Sequence, residues 1–213
     1  PPFEIINRII HVHGPSGSGK SVLARNLQHQ LGGDCNAVIL ERDAYISHYL
    51  KTHNEQHSSN TIIADLYDHK GRIKDWAFKN IFTPVDTAMI RDLRASLQKK
   101  KVVIWDTMKE LYVPKNINNP VVIRVITHCF DKPDNRDFNA LAQRKTGSMT
   151  ADKQRELASI IFKDALYKTQ LKEGPKNKVL FNALYGWTST DPVEIKVFYD
   201  LIIALFSPQK KPR

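Results

Sequence analysis

Gly14-Pro15-Ser16-Gly17-Ser18-Gly19-Lys20-Ser21 has the residue types and spacing of a phosphate-binding loop: a glycine, four variable residues, then Gly-Lys-Ser. Glycines let successive backbone N–H groups turn toward phosphate oxygens, and a helix opening on the loop presents its positive end to the same anion. All eight residues are therefore candidate nucleotide-binding positions. Lys20 would reach the β and γ phosphates, and Ser21 would place its hydroxyl on Mg²⁺. The pattern counts only between a strand and a helix. Both flanks comply: Arg8 to His13 is a short β-branched run, and Leu23, Leu27 and Leu31 recur at helical spacing until Gly32-Gly33.

Two acids stand where a phosphate loop needs company. Asp43, twenty-three residues past Lys20, closes the second apolar run, Ala37 to Asp43. A carboxylate there can accept the proton of an acceptor hydroxyl; the alternative is a strand-end acid paired with Arg42. Asp106 closes the third run, Val102 to Thr107, where it could hold a Mg²⁺-bound water or the acceptor, or simply cap. Arg136 and Arg144 lie in a polar stretch from Asp131 to Thr150 that reads as a mobile lid, where arginines can close over a donor and offset charge on a transferring phosphoryl group. An arginine in so basic a stretch can equally face solvent.

The elements that must position these groups follow from the apolar pattern. Val121 to Thr127 and Val179 to Asn182 read as fourth and fifth strands. Five short apolar strands separated by helical segments predict an α/β fold, a roughly five-stranded parallel sheet with helices on both faces, and the loop together with Asp43 leads us to expect the P-loop phosphotransferase type. Ligands then bind at the carboxyl ends of the strands, so the acids ending runs two and three converge on the loop ending run one. Thr83-Pro84-Val85-Asp86 reads as a capped helix start, carrying Val85, Met89, Leu93 and Leu97 as a buried stripe. Residues 44 to 60 are polar and His-rich and read as a helical or irregular surface segment, while Trp76, Phe78, Ile81 and Phe82 read as core. A helix from Thr150 would close at Gly174-Pro175, and Asp191 would open a last one through Phe206.

With 213 residues, 41% hydrophobic and 25% charged, the chain suits one domain over its whole length. No apolar run approaches the ~20 residues of a membrane span, so an intracellular setting is expected. Cys35 and Cys129 lack C-x-x-C spacing and read as small buried hydrophobes rather than a disulfide or metal site. The formal charge of +10 favours a polyanionic partner. Pro1-Pro2 and the basic tail look like the ends of a domain cut from a longer chain. A nucleotide loop alone fits GTPases, motor ATPases, transporters and kinases. The guanine motif Asn-Lys-x-Asp is absent, Asp131-Lys132-Pro133-Asp134 being a partial echo that reads as a surface turn.

Together with the loop, Glu41-Arg42-Asp43, Ile104-Trp105-Asp106-Thr107 and the lid run Arg144-Lys145-Thr146-Gly147-Ser148-Met149-Thr150 resemble the P-loop 5′-hydroxyl polynucleotide kinases. Within these the chain is most similar to the central kinase domain of fungal tRNA ligases, also in Asn182-Ala183-Leu184-Tyr185-Gly186-Trp187. The resemblance implies transfer of the γ-phosphate of a nucleoside triphosphate, GTP preferred, to the 5′-OH of a cleaved tRNA exon during splicing and end healing. It implies Lys20 and Ser21 on phosphates and Mg²⁺, Asp43 as general base, Arg144 as lid arginine with Arg136 as second candidate, and Tyr185 and Trp187 near the guanine. It also implies covalently linked ligase and cyclic phosphodiesterase domains in a full-length protein. Two other readings stay open: a P-loop kinase of nucleosides or small metabolites, and a non-catalytic nucleotide-gated RNA-binding module.

Overall fold

The computed structural model describes residues 7–53, 61–68, 70, 72–107, 113–118, 120–128, 136–147, 151–157, 160, 181–186, 196 and 200. Five strands, β1 (Asn7–His13), β2 (Ala37–Glu41), β3 (Val102–Asp106), β4 (Pro120–His128) and β5 (Phe181–Gly186), form one sheet in the order β2-β3-β1-β4-β5. Every neighbouring pair is parallel. Parallel strands must be covered on both faces, which is why these runs are mostly apolar rather than alternating, with His11, His13, Arg124 and Thr127 as buried polar exceptions.

Neighbouring residues of a strand serve opposite layers. Ile9, Val103, Trp105 and Val122 face one layer, where α4 (Thr83–Gln98) buries Val85, Met89, Leu93 and Leu97. Ile10, Val12, Ile104 and Val125 face the other, covered by Leu23, Ala24 and Leu27 of α1 (Lys20–Gln30). Each large side chain so buried contributes about 1.5–3 kcal/mol by leaving water, more than the helices' own propensities supply. α2 (Arg42–Thr52) follows β2 directly and buries Ile46 and Leu50. Among the described residues no helix is long and apolar enough to cross a membrane.

The expected core positions in 75–82 divide. A short helix α3 (Asp75–Ala77) runs through a π turn, Phe78–Phe82, straight into α4. The widened turn shifts the side-chain register. Ala77, Ile81 and Phe82 are buried, whereas Trp76 and Phe78 stand 40% and 55% exposed. Thr83 is therefore no cap: Phe82 is already helical, and the Thr83 hydroxyl donates to the Phe78 carbonyl at 2.9 Å. Pro84, with no N–H to give, sits at the junction, where the π turn relieves the usual ladder.

Other differences are smaller. The polar stretch after β2 is helical to Thr52, and Tyr49 stacks on His53 at 3.9 Å. Asp43 lies in the first turn of α2 rather than at the end of β2. Within the expected lid, α5 (Phe138–Thr146) is capped by Asp137, whose carboxylate accepts from the Ala140 N–H at 2.9 Å, and residues 151–157 are helical. β5 runs further than Val179 to Asn182 suggested, through Tyr185 and Gly186. Cys35 is exposed, not buried. Cys129, Trp187, the Gly174-Pro175 stop and most of the expected last helix lie outside the described residues.

Candidate functional site

The loop between β1 and α1 is pinned from below by its own polar residues. Ser18 Oγ donates to the Pro15 carbonyl at 2.7 Å and lies 2.7 Å from Thr127 Oγ1 at the end of β4. Gly14 passes so close to that strand that a Cβ there would sit 2.0 Å from Thr127 Oγ1 and 2.3 Å from its carbonyl oxygen. Gly19 takes φ 90°, a left-handed conformation that costs other residues dearly, and turns the chain into α1. Arg136 completes the brace. Its side chain is buried, donates to the Ser16 carbonyl at 2.6 Å, and lies 4.7 Å over the Phe138 ring.

Strand register brings the acids in. Glu41 of β2 is paired with Asp106 of β3, and Asp106 in turn with Val12 of β1, so both carboxylates meet the first turn of α1. Ser21 Oγ lies 3.2 Å from Glu41 Oε1 and 3.2 Å from Asp106 Oδ2; one hydroxyl proton serves one carboxylate at a time. Burial pushes the Asp106 carboxyl up to about 6, with Glu41 and Asp43 adding to the rise and Lys20 and the Ser21 hydroxyl opposing it. Lys20 Nζ donates to the Pro15 carbonyl at 2.9 Å, folded across its own loop.

Magnesium takes hard oxygen ligands, usually one or two carboxylates together with substrate phosphates and water. Ser21, Asp106 and Glu41 form an all-oxygen set that fits it. Among the described residues no group of three His, Cys, Asp or Glu side chains is gathered for a metal, so a nucleotide would have to complete the shell.

Loop, acids and lid meet in a cleft of about 470 Å³ at the carboxyl ends of the strands. It is lined by Ser16, Gly17, Gly19, Lys20 and Ser21 of the loop and α1, by Asp106, by Asp43 and Ile46 of α2 with Tyr67, and by Arg144 and Lys145 of α5. Asp43 does not pair with Arg42. That guanidinium makes a two-pronged bond to Asp86 at 3.0 and 3.1 Å and lies 4.6 Å over the Phe82 ring. The pair ties the start of α2 to the start of α4 and leaves the exposed Asp43 carboxylate to the cleft. Burial and the Asp43 charge push the Tyr67 phenol well above its usual range, which keeps it a hydrogen-bond donor.

Of the expected residues, Lys20, Ser21, Asp43, Asp106 and Arg144 share the cleft. Arg136 is outside that lining and donates to the Ser16 carbonyl of the loop. Tyr185 is opposite Thr127 in the sheet, one strand away from the loop. The sequence reading passed over Glu41 as a site residue, and over Thr127, Tyr67 and Lys145. Glu41 carries a usable signal, an acid at the end of a strand beside the Asp106 strand, but only the register shows that the two carboxylates adjoin.

A family model described as an AAA domain matches residues 9–108, from β1 to just past Asp106. No curated protein matches the chain. Among solved structures, a Chloroflexus aurantiacus protein named as a candidate kinase is similar at TM-score 0.59 and 10% identity, over 95% of this chain and 97% of that one. The Pnkp1/Rnl/Hen1 RNA repair complex is similar at TM-score 0.46 and 14% identity, over 81% of this chain and 48% of that one. Shikimate kinase from Acinetobacter baumannii reaches TM-score 0.43 and 16% identity, over 96% and 98%. With its loop between β1 and α1 and its acids at the ends of adjoining parallel strands, the chain has the P-loop kinase-like α/β fold.

Proposed function

We propose that this chain is a polynucleotide 5′-hydroxyl kinase that moves the γ-phosphate of GTP, with Mg²⁺, to the 5′-OH end of RNA. The observation that carries the reading is that an exposed carboxylate, Asp43, lines the same cleft as the phosphate-loop residues Lys20 and Ser21 and the buried Asp106. A switch or transporter needs the loop; a phosphotransferase also needs a group to receive the acceptor's proton. The +10 charge and the cations Arg25 and Arg144 at the cleft favour a polyanionic acceptor over a small metabolite. The preference for GTP, the base contacts at Tyr185 and Trp187, an intracellular setting and linked ligase and phosphodiesterase domains belong to this reading through the polynucleotide-kinase resemblance.

Each residue then has one task. Backbone N–H groups of the loop and Lys20 hold the phosphates; Lys20 exchanges the Pro15 carbonyl for phosphate oxygens when nucleotide arrives. Mg²⁺, held by Ser21 with Asp106 and Glu41 behind it, would supply charge neutralisation on the phosphates. Asp43 orients the 5′-OH and takes its proton as the new P–O bond forms and the bond to the departing diphosphate breaks. Arg144 offsets charge on the phosphoryl group in transit, while Lys145 is paired with the buried Glu156 at 3.4 Å. Most of the rate comes from positioning and charge.

The test is transfer of label from γ-labelled GTP, with ATP in parallel, to a 5′-OH RNA oligonucleotide, a 5′-phosphorylated control and free nucleosides. The reading requires label on the 5′-OH RNA alone. Label on nucleosides in preference to RNA would replace it with a small-molecule kinase, and label on neither with a binding module.

A further inference from the structure

Three large apolar side chains stand exposed among the described residues, and two of them, Trp76 and Phe78, are two residues apart. They interrupt a basic run: Lys70, Arg72, Lys74 and Lys79 surround them, against the single carboxylate of Asp75 within residues 70–79. Arg72 keeps a 62% exposed side chain while bonding Asp68 at 3.0 Å. The π turn produces this display, since it sends Ala77, Ile81 and Phe82 inward and leaves Trp76, Phe78 and Lys79 outside. Aromatic faces interleaved with cations are the pairing that single-stranded nucleic acid uses, bases on rings and phosphates on ammonium or guanidinium groups. An apolar protein partner would need no such charge.

The patch is also joined to the cleft. Tyr67, one of its lining residues, bridges to Ile73, and the Lys74 N–H donates to the Leu66 carbonyl at 2.9 Å. Trp76 follows Ile73 by three residues, so its Cα lies no more than about 16 Å from that of Tyr67. Phe82, at the other end of the π turn, packs edge-on to Tyr67 at 5.9 Å and lies under the Arg42 guanidinium. The segment that carries the two rings is thus anchored beside Tyr67, which lines the cleft with Asp43.

We propose that Trp76 and Phe78, flanked by Lys74 and Lys79, form a stacking platform for the single-stranded RNA that follows the acceptor nucleotide. The inference rests on the RNA-kinase reading for its substrate, but it is separable from it by experiment. The platform binds nucleotides downstream of the reacting end and touches neither nucleotide donor nor the reacting hydroxyl.

The experiment compares the wild-type chain with Trp76→Ala/Phe78→Ala and with the ring-preserving Trp76→Tyr/Phe78→Tyr. Binding is followed by anisotropy of a 3′-labelled, 5′-OH single-stranded RNA of about twelve nucleotides, within the range such surfaces cover. The double alanine variant should weaken RNA binding about tenfold or more and raise KM for that oligonucleotide. It should leave kcat, GTP affinity and phosphorylation of a dinucleotide acceptor unchanged, and the tyrosine variant should retain most of the affinity. Unchanged GTP affinity also certifies the fold. If the wild type binds RNA through these rings yet transfers no phosphate, the kinase reading fails and the platform stands. If it transfers phosphate and the alanine variant binds RNA and shows KM as wild type does, the platform is overturned and the exposed rings belong to a protein partner.

Discussion

Asp106 is the residue on which folding and chemistry pull in opposite directions. It is 3% exposed beside Glu41, and its carboxyl is raised from 3.8 to about 6 by burial, against the opposing pull of Lys20 and with smaller additions from Glu41 and Asp43. A group whose folded value is raised binds its proton more tightly in the folded state, so its favourable contribution is present below about pH 4 and is lost as the pH climbs through 6. Above that, burying the carboxylate costs on the order of 1–3 kcal/mol. Asp106→Asn should therefore stabilise the nucleotide-free chain by that amount near pH 7.5, and the advantage should fall to about half near pH 5 and vanish only below about pH 4, as read by denaturant midpoints at about pH 7.5 and 5. The same change should weaken Mg²⁺-dependent nucleotide binding. An unaltered stability difference between the two pH values would mean that Asp106 is not held in this environment.

At the scale of elements, the phosphate loop is shaped by what lies beneath it. Arg136 and Arg144 are eight residues apart and chemically alike, yet one lies buried under the loop carbonyl of Ser16 and the other over the cleft. Arg136→Ala should lower stability by about 1–3 kcal/mol and weaken nucleotide affinity about tenfold, because a charge-assisted buried bond is lost and the loop is no longer held. Calorimetric melting and nucleotide titration check this. Loss of phosphate transfer with affinity and stability intact would return Arg136 to a lid role. The two arginines could not be told apart in the sequence, since only tertiary packing separates them. β1, the loop and α1 were legible because glycine spacing and Leu23/Leu27 periodicity are local. The exposure of Trp76 and Phe78 was not, because nothing local announces a π turn. Nor was the Arg42–Asp86 pair, whose partners are 44 residues apart.

For the whole molecule, the parallel sheet and the convergence of strand-end acids were legible from five apolar runs, whereas the order β2-β3-β1-β4-β5 and the register pairing Glu41 with Asp106 were not. Register depends on how both faces pack at once, and no single run carries that information. What the assembled fold adds is one cleft lined by Lys20 and Ser21 of the loop, by Asp106 and by an exposed carboxylate, Asp43. The most direct test of the proposed two-substrate reading is Asp43→Ala, assayed for both nucleotide affinity and γ-phosphate transfer to a 5′-OH RNA oligonucleotide. A two-substrate site predicts unchanged nucleotide affinity with transfer reduced by about 10²–10⁴-fold. Near-normal transfer by the variant would contradict it.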